Sequence, residues 1–265
     1  MAYSRAWIRL SVLISILVYI TSLLGILDPT VYSKETMNWA LQAKGQDAAN
    51  LLAASILLIS SYFFSRKSFR AYLVWLGVYI YLIYSFVIYS FSVHFNYLFP
   101  MYVSILGLSF YTPLGTILSN SSTLQTKKFN SDLSIRPASI LLLIIGIFFG
   151  FLWICEISMY ITTGNAPQSF IDTKLWTNPV HVLDLGFILP GMIMTSILLW
   201  RKQKLGYIFV VPFLVFSATM GIGIIVLFIL LSHSEKTPFA LFMYLISLIV
   251  ILSTVFMYKL LRKIE

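Results

Sequence analysis

Eight apolar stretches of about 20 residues recur along the chain, near residues 8–27, 48–65, 71–90, 98–118, 138–158, 181–200, 206–231 and 238–258. Each is long enough, as a helix rising about 1.5 Å per residue, to cross the roughly 30 Å of hydrocarbon in a bilayer. No strand-like alternation of apolar and polar residues competes with this pattern, and in lipid only helices and closed barrels satisfy every backbone N–H and C=O. The sequence therefore predicts an all-α integral membrane protein with eight transmembrane helices. A mean hydropathy of +0.91 with 10% charged residues is likewise far too apolar for a soluble domain.

The net charge of +9 would suit a nucleic-acid binder if it were spread over one face. It is instead sorted by loop. Arg5 and Arg9 precede the first stretch, Arg66, Lys67 and Arg70 join the second and third, and Lys127, Lys128 and Arg136 join the fourth and fifth. Arg201, Lys202 and Lys204 join the sixth and seventh, and Lys259, Arg262 and Lys263 follow the eighth. The alternate loops hold Lys34, Lys44, Lys174 and Lys236 together with Asp28, Glu35, Asp47, Glu156, Asp172, Asp184 and Glu235. By the positive-inside rule both termini are expected in the cytoplasm, and Trp7, Trp75 and Trp200 at inner ends with Trp39, Trp153 and Trp176 at outer ends fit an aromatic belt. The basic excess sets topology and attracts anionic lipid; no nucleic-acid partner is expected. The first stretch ends in Leu-Gly-Ile-Leu-Asp-Pro without a small-x-small cleavage pattern, so it is expected to be a retained helix. Cys155 is the single cysteine, which excludes an internal disulfide and any multi-cysteine centre.

The polar stretch around residues 119–137 divides the chain into two membrane halves, 1–125 and 126–265, with four helices each. Their contents echo one another. Arg66-Lys67 and Tyr72 match Arg201-Lys202 and Tyr207 at the same spacing, Asp47 matches Asp184, and Met101-Tyr102 matches Met243-Tyr244. Four helices separate equivalent positions, so such a repeat would be parallel, related by an axis along the membrane normal. Recurrence of topogenic pairs and interfacial tyrosines explains the same echoes without duplication.

Gly45-Gln46-Asp47, Arg66-Lys67-Ser68, Phe95-Asn96-Tyr97-Leu98-Phe99 and Leu183-Asp184-Leu185 with Pro190 resemble segments of a family of uncharacterised multi-pass bacterial membrane proteins. The resemblance covers most of the chain. It implies a bacterial cytoplasmic membrane and no particular activity.

Asp184, Asp47, Glu156 and His181 are the candidate ligand-binding residues. All fall toward the outer ends, and His181 and Asp184 lie one helical turn apart on a shared face. An acid within a span costs up to roughly 3 kcal/mol at the bilayer centre, so it is expected to face the bundle or water. Three readings stand side by side. Asp47 and Asp184 could cap the N-termini of inward-running helices, where the macrodipole favours an anion. His, Asp and Glu could hold a divalent metal, although no His-Glu-x-x-His motif is present and no metal ligand is assigned. Or the acids could line an outward-facing polar pocket between the halves.

The pocket reading leads to a small-solute or ion transporter, or a binding subunit of one. An intramembrane enzyme acting on a lipid or isoprenoid and a non-catalytic assembly partner are the alternatives; an oligomer is compatible with all three. No Walker loop, dinucleotide fingerprint, nucleophile elbow or paired haem histidines occur, so no cofactor is expected. Whether His94 and His233 join His181 at one site is left open by sequence. Tyr79, Tyr81, Tyr84 and Tyr89 either wall a cavity or pack between helices, Pro190-Gly191 is the expected hinge, and Gly146 and Gly150 present a small face for close helix packing.

Overall fold

A computed structural model describes residues 5–119, 135–235 and 240–264, the side chains of 233–235 and 240 excepted. The boundary between halves at 125 and 126, Lys127, Lys128, Lys236 and the side chains of His233 and Glu235 lie outside the described residues. Among the described residues, eight helices are long and apolar enough to cross a membrane. They are α1 (Arg5–Leu27), α2 (Met37–Ser65), α3 (Phe69–Ser92), α4 (Phe99–Ser119), α5 (Arg136–Thr163), a composite sixth span, α9 (Lys204–Glu235) and α10 (Ala240–Lys263). A short α6 (Gln168–Thr173) precedes the sixth span, which consists of α7 (Pro179–Leu183), a π turn (Asp184–Ile188) and α8 (Leu189–Trp200).

In the first half α1 packs on α2, α2 on α3, α3 on α4, and α4 returns to α1. The second half repeats this order through α5, α8, α9 and α10, although α10 closes only sparsely against α5. The halves meet where α9 lies against α2 and α3. Small residues make these approaches close. A Cβ on Gly77 of α3 would meet Val215 and the Pro212 carbonyl of α9, and one on Gly146 of α5 would meet Ile193 of α8 at 2.7 Å. Ser139 and Ser196 lock the same α5–α8 contact by donating to each other's backbone carbonyl, at 3.2 and 2.8 Å.

The helix turns carrying basic pairs are built alike. The Lys67 N–H bonds the Phe64 carbonyl and the Ser68 N–H the Phe63 carbonyl; the Lys202 N–H bonds Leu199 and the Gln203 N–H bonds Leu198. Both lysines take the left-handed conformation, at φ 67° and 55°. This is the Schellman closure, a common helix ending, so the match is what two helices ending at one surface require with or without a duplication. Arg70 Nε donates to the Ile264 carbonyl, which ties the chain's last described turn to the same end of the bundle.

Two boundaries differ from the sequence expectation. The stretch from 28 to 47 was expected as an outer loop, yet α2 begins at Met37, capped by Thr36 Oγ1 accepting from the Trp39 N–H at 3.2 Å. Ala, Leu, Gln and Lys at 40–44 are good helix formers, and their polar members find partners along the helix: Gln42 Nε2 donates to Asn38 Oδ1 at 2.7 Å. The expected outer loop from 159 to 180 is likewise shortened, because α5 runs on to Thr163 and α6 occupies its middle.

The expected hinge at Pro190 takes the form of the π turn. Proline has no N–H to offer the Gly186 carbonyl, and just ahead of it the Leu189 N–H reaches back five residues to the Asp184 carbonyl. The π turn begins at Asp184 itself. Pro113 and Pro212 also sit inside helices, whereas Pro100 falls in the first turn of α4, where a missing N–H costs nothing.

Candidate functional site

Helices α5 and α7 run antiparallel, so two short motifs cross. Trp153 lies three residues before Glu156 on α5, and His181 three before Asp184 on the sixth span. Trp153 Nε1 donates to Asp184 Oδ2 at 2.9 Å, and His181 Nε2 stands 3.4 Å from Glu156 Oε2, an ion pair when the imidazole is protonated. The rings of Trp153 and His181 are 4.6 Å apart between centroids. From α6, Ser169 Oγ donates to Glu156 Oε1 and Phe170 contacts the His181 ring. The resulting stack runs inward from α6 through Glu156 and His181 to Trp153 and Asp184.

Asp184 is one wall residue of a cavity of about 280 Å³ at the junction of the halves. Helices α2, α3, α5, the sixth span, α9 and α10 all contribute to it. Its surface is mainly apolar and aromatic, including Phe149, Met192, Phe216 and Ile246, with Gln42, Gln46, Tyr84, Tyr89 and Ser217 as polar points. Asp184 is the only carboxylate lining it among the described residues. The Tyr84 hydroxyl of α3 faces the same carboxylate. No ion pair to Asp184 occurs among the described residues. The sequence suggested a polar pocket; the cavity is an apolar one with a single acid, because the tyrosines of α3 spend most of their hydroxyls on neighbouring helices.

Asp47 does not line this cavity. It is 1% exposed, ten residues into α2, and enclosed by hydroxyls: Tyr32 donates to Oδ2 at 2.7 Å and Tyr89 to Oδ1 at 2.8 Å. Gly25 of α1 gives it room, since a Cβ there would collide with both the carboxylate and the Tyr32 hydroxyl. The capping expectation is thereby corrected for both aspartates. Thr36 caps α2, and Asn178 caps α7 by accepting from the Val180 N–H at 2.9 Å and the His181 N–H at 3.4 Å.

Of the four candidates, the structure gathers Glu156, His181 and Asp184 and leaves Asp47 in a separate cluster. His94 is elsewhere, paired with Glu35 at 2.9 Å. No group of three His, Cys, Asp or Glu side chains converges as a metal site among the described residues. Of the partners of Asp184, Trp153 was expected only in the aromatic belt, and Tyr84 only as one of four α3 tyrosines that either wall a cavity or pack between helices. The one usable signal was the crossing of Trp153-x-x-Glu156 with His181-x-x-Asp184 in antiparallel neighbours. Of the remaining tyrosines of α3, Tyr79 bonds Ser11 at 2.9 Å, and Tyr81 bonds Gln46 at 2.8 Å and Asn50 at 3.0 Å, so these two hold helices together. No family model, curated protein or solved structure matches the chain.

Proposed function

We propose that this polytopic membrane protein is a transporter, or the binding subunit of one, for a small amphiphilic solute. The apolar body of the solute occupies the cavity between the halves, and its one cationic or hydrogen-bond-donating group meets Asp184. The observation that carries this reading is a lone carboxylate, without an ion-pair partner, in the wall of an otherwise apolar cavity. Such a group is incompletely compensated away from bulk water and favours a ligand that brings a positive charge. The Glu156–His181 pair above it is placed to meet the polar group on its way in. Both termini are proposed to face the cytoplasm of a bacterial cell, supported by the shared basic end.

Decylammonium, decanol and decanoate test this on protein reconstituted in nanodiscs. The account predicts thermal stabilisation in the order ammonium, alcohol, carboxylate, with the ammonium effect at least about tenfold weaker in Asp184→Asn. Equal response of wild type and variant would sink it. A second reading, an intramembrane enzyme acting on a lipid, is favoured only by the Glu156–His181 pair, an acid and a base within 3.4 Å. Turnover of a lipid substrate, lost in His181→Gln while decylammonium still binds, would establish that reading instead.

A further inference from the structure

The basic end of the molecule holds a second cleft, with no part in the reading above. It lies between the first turn of α5 and the last turns of α10 and encloses about 490 Å³. Pro137, Ala138, Phe256 and Leu260 are its apolar surface, and Lys259, Arg262 and Lys263 its charged one. These three cations sit at helical spacings of three and four, so they share one face. All are exposed, and none has a carboxylate partner among the described residues. The Arg262 guanidinium rests over the Tyr258 ring, 5.7 Å from its centroid.

The start of α5 adds to this field. Its N-cap residue, Ile135, makes no side-chain hydrogen bond to the first turn, and Pro137 follows it. The first turn of this helix carries the positive end of the helix dipole. Three cations without a carboxylate partner among the described residues, beside the N-terminus of α5, call for an anion.

The apolar continuation of the cleft specifies what kind. Helix α10 is the least buried of the eight spans and packs only sparsely on α5. The seam between them leads from Phe256 to Ile249, which together with Ile145 of α5 belongs to the wall of the central cavity. Seven residues of helix rise about 10 Å. That is less than half of the roughly 30 Å hydrocarbon thickness, so one acyl chain can follow it.

We propose that the α5–α10 seam is a binding site for an anionic phospholipid. The headgroup phosphate is held by Lys259, Arg262 and Lys263 with the α5 N-terminus, and one acyl chain lies along the seam toward the cavity. Free phosphate shares the headgroup chemistry but has nothing to place against Phe256 and Leu260. A bound lipid closes the gap that α5 and α10 leave open on the lipid-facing side of the second half.

Native mass spectrometry of the full chain in detergent tests this, with palmitoyl-oleoyl phosphatidylglycerol titrated against wild type and the triple variant Lys259→Gln/Arg262→Gln/Lys263→Gln. The expected result is at least about tenfold weaker retention in the variant, since each basic group near a headgroup contributes appreciably. A control variant, Lys67→Gln/Arg201→Gln/Lys202→Gln, removes the same charge from the same end and is expected to bind as wild type. Phosphatidylcholine should bind both proteins equally and weakly. Dihexanoyl phosphatidylglycerol should bind poorly, and millimolar inorganic phosphate should not compete. Should the triple variant not fold, the exposed single change Lys263→Gln gives the same readout with a smaller loss. Equal loss in the control variant, equal binding of the short-chain lipid, or competition by free phosphate would each overturn the site as described.

Discussion

Asp47 lies on the second span and Asp184 on the sixth, and their surroundings differ in kind. Both carboxylate oxygens of Asp47 receive a tyrosine hydroxyl, and its side chain is sealed against α1 at Gly25. Asp184 receives the Trp153 indole N–H on one oxygen, faces Tyr84, and opens onto a cavity. An acid satisfied on all sides by the protein holds helices together; an acid at a cavity wall retains capacity for something else. Residue type and depth in the membrane, which a sequence shows, do not separate these two cases. The number and origin of hydrogen-bond donors does.

The largest effect that sharpens the contrast is on stability, at the closed site. Asp47→Leu leaves the Tyr32 hydroxyl without its acceptor, while Tyr89 keeps the Ala43 carbonyl at 3.0 Å, a loss of roughly 1–3 kcal/mol for one stranded buried group. Denaturation in a detergent of fixed composition measures it, and a loss below about 0.5 kcal/mol would mean the cluster is not holding the fold. Gly25→Ala should cost about 1–3 kcal/mol by overpacking the same contact. At the open site the order reverses: Asp184→Asn should change stability by less than about 1 kcal/mol, because an amide oxygen still accepts from Trp153, while ligand binding falls.

Trp153→Phe is a smaller probe. It keeps the aromatic contact with His181 and deletes one donor to Asp184, so about 1 kcal/mol of the Asp184 interaction is lost. Decylammonium affinity should shift by severalfold or less, and a loss as large as that of Asp184→Asn would mean the indole itself binds the ligand.

The smallest effect concerns a third acid, Asp28, outside the spans. Tyr97 donates to its Oδ2 at 2.6 Å, and the Thr30 N–H and hydroxyl donate to its Oδ1 at 2.9 and 2.7 Å. These bonds, Tyr97 first, hold its pKa below the ordinary carboxylate value of 3.8. A pKa lower in the folded than in the unfolded state stabilises the fold above the unfolded value and loses that effect as pH falls through the folded one. The difference in melting temperature between wild type and Tyr97→Phe should therefore be full near neutral pH and shrink below about pH 4. A difference that grows on acidification would contradict the assignment.

The helical architecture was legible because twenty-residue apolar runs admit one structure in lipid. The start of α2 was not, since Asn38, Gln42, Lys44 and Gln46 interrupt the apolar pattern while remaining helical. Gln46 shows why this is tolerated: its side chain bonds Tyr81 across the bundle at 2.8 Å. Of the candidate site, the nearness of Glu156, His181 and Asp184 was legible only as a shared position toward the outer ends, with His181 and Asp184 one turn apart. The separation of Asp47 was not legible, because Tyr32 arrives from the loop after α1 and Tyr89 from five residues beyond Tyr84, and no local pattern reveals that those two tyrosines of α3 serve different acids.

The central contrast is tested most directly by measuring decylammonium affinity for wild type, Asp47→Asn and Asp184→Asn in one nanodisc composition. The account predicts near-wild-type affinity for folded Asp47→Asn and a loss of at least about tenfold, roughly 1.4 kcal/mol, for Asp184→Asn. Equal affinity in all three, or a loss confined to Asp47→Asn, would contradict it.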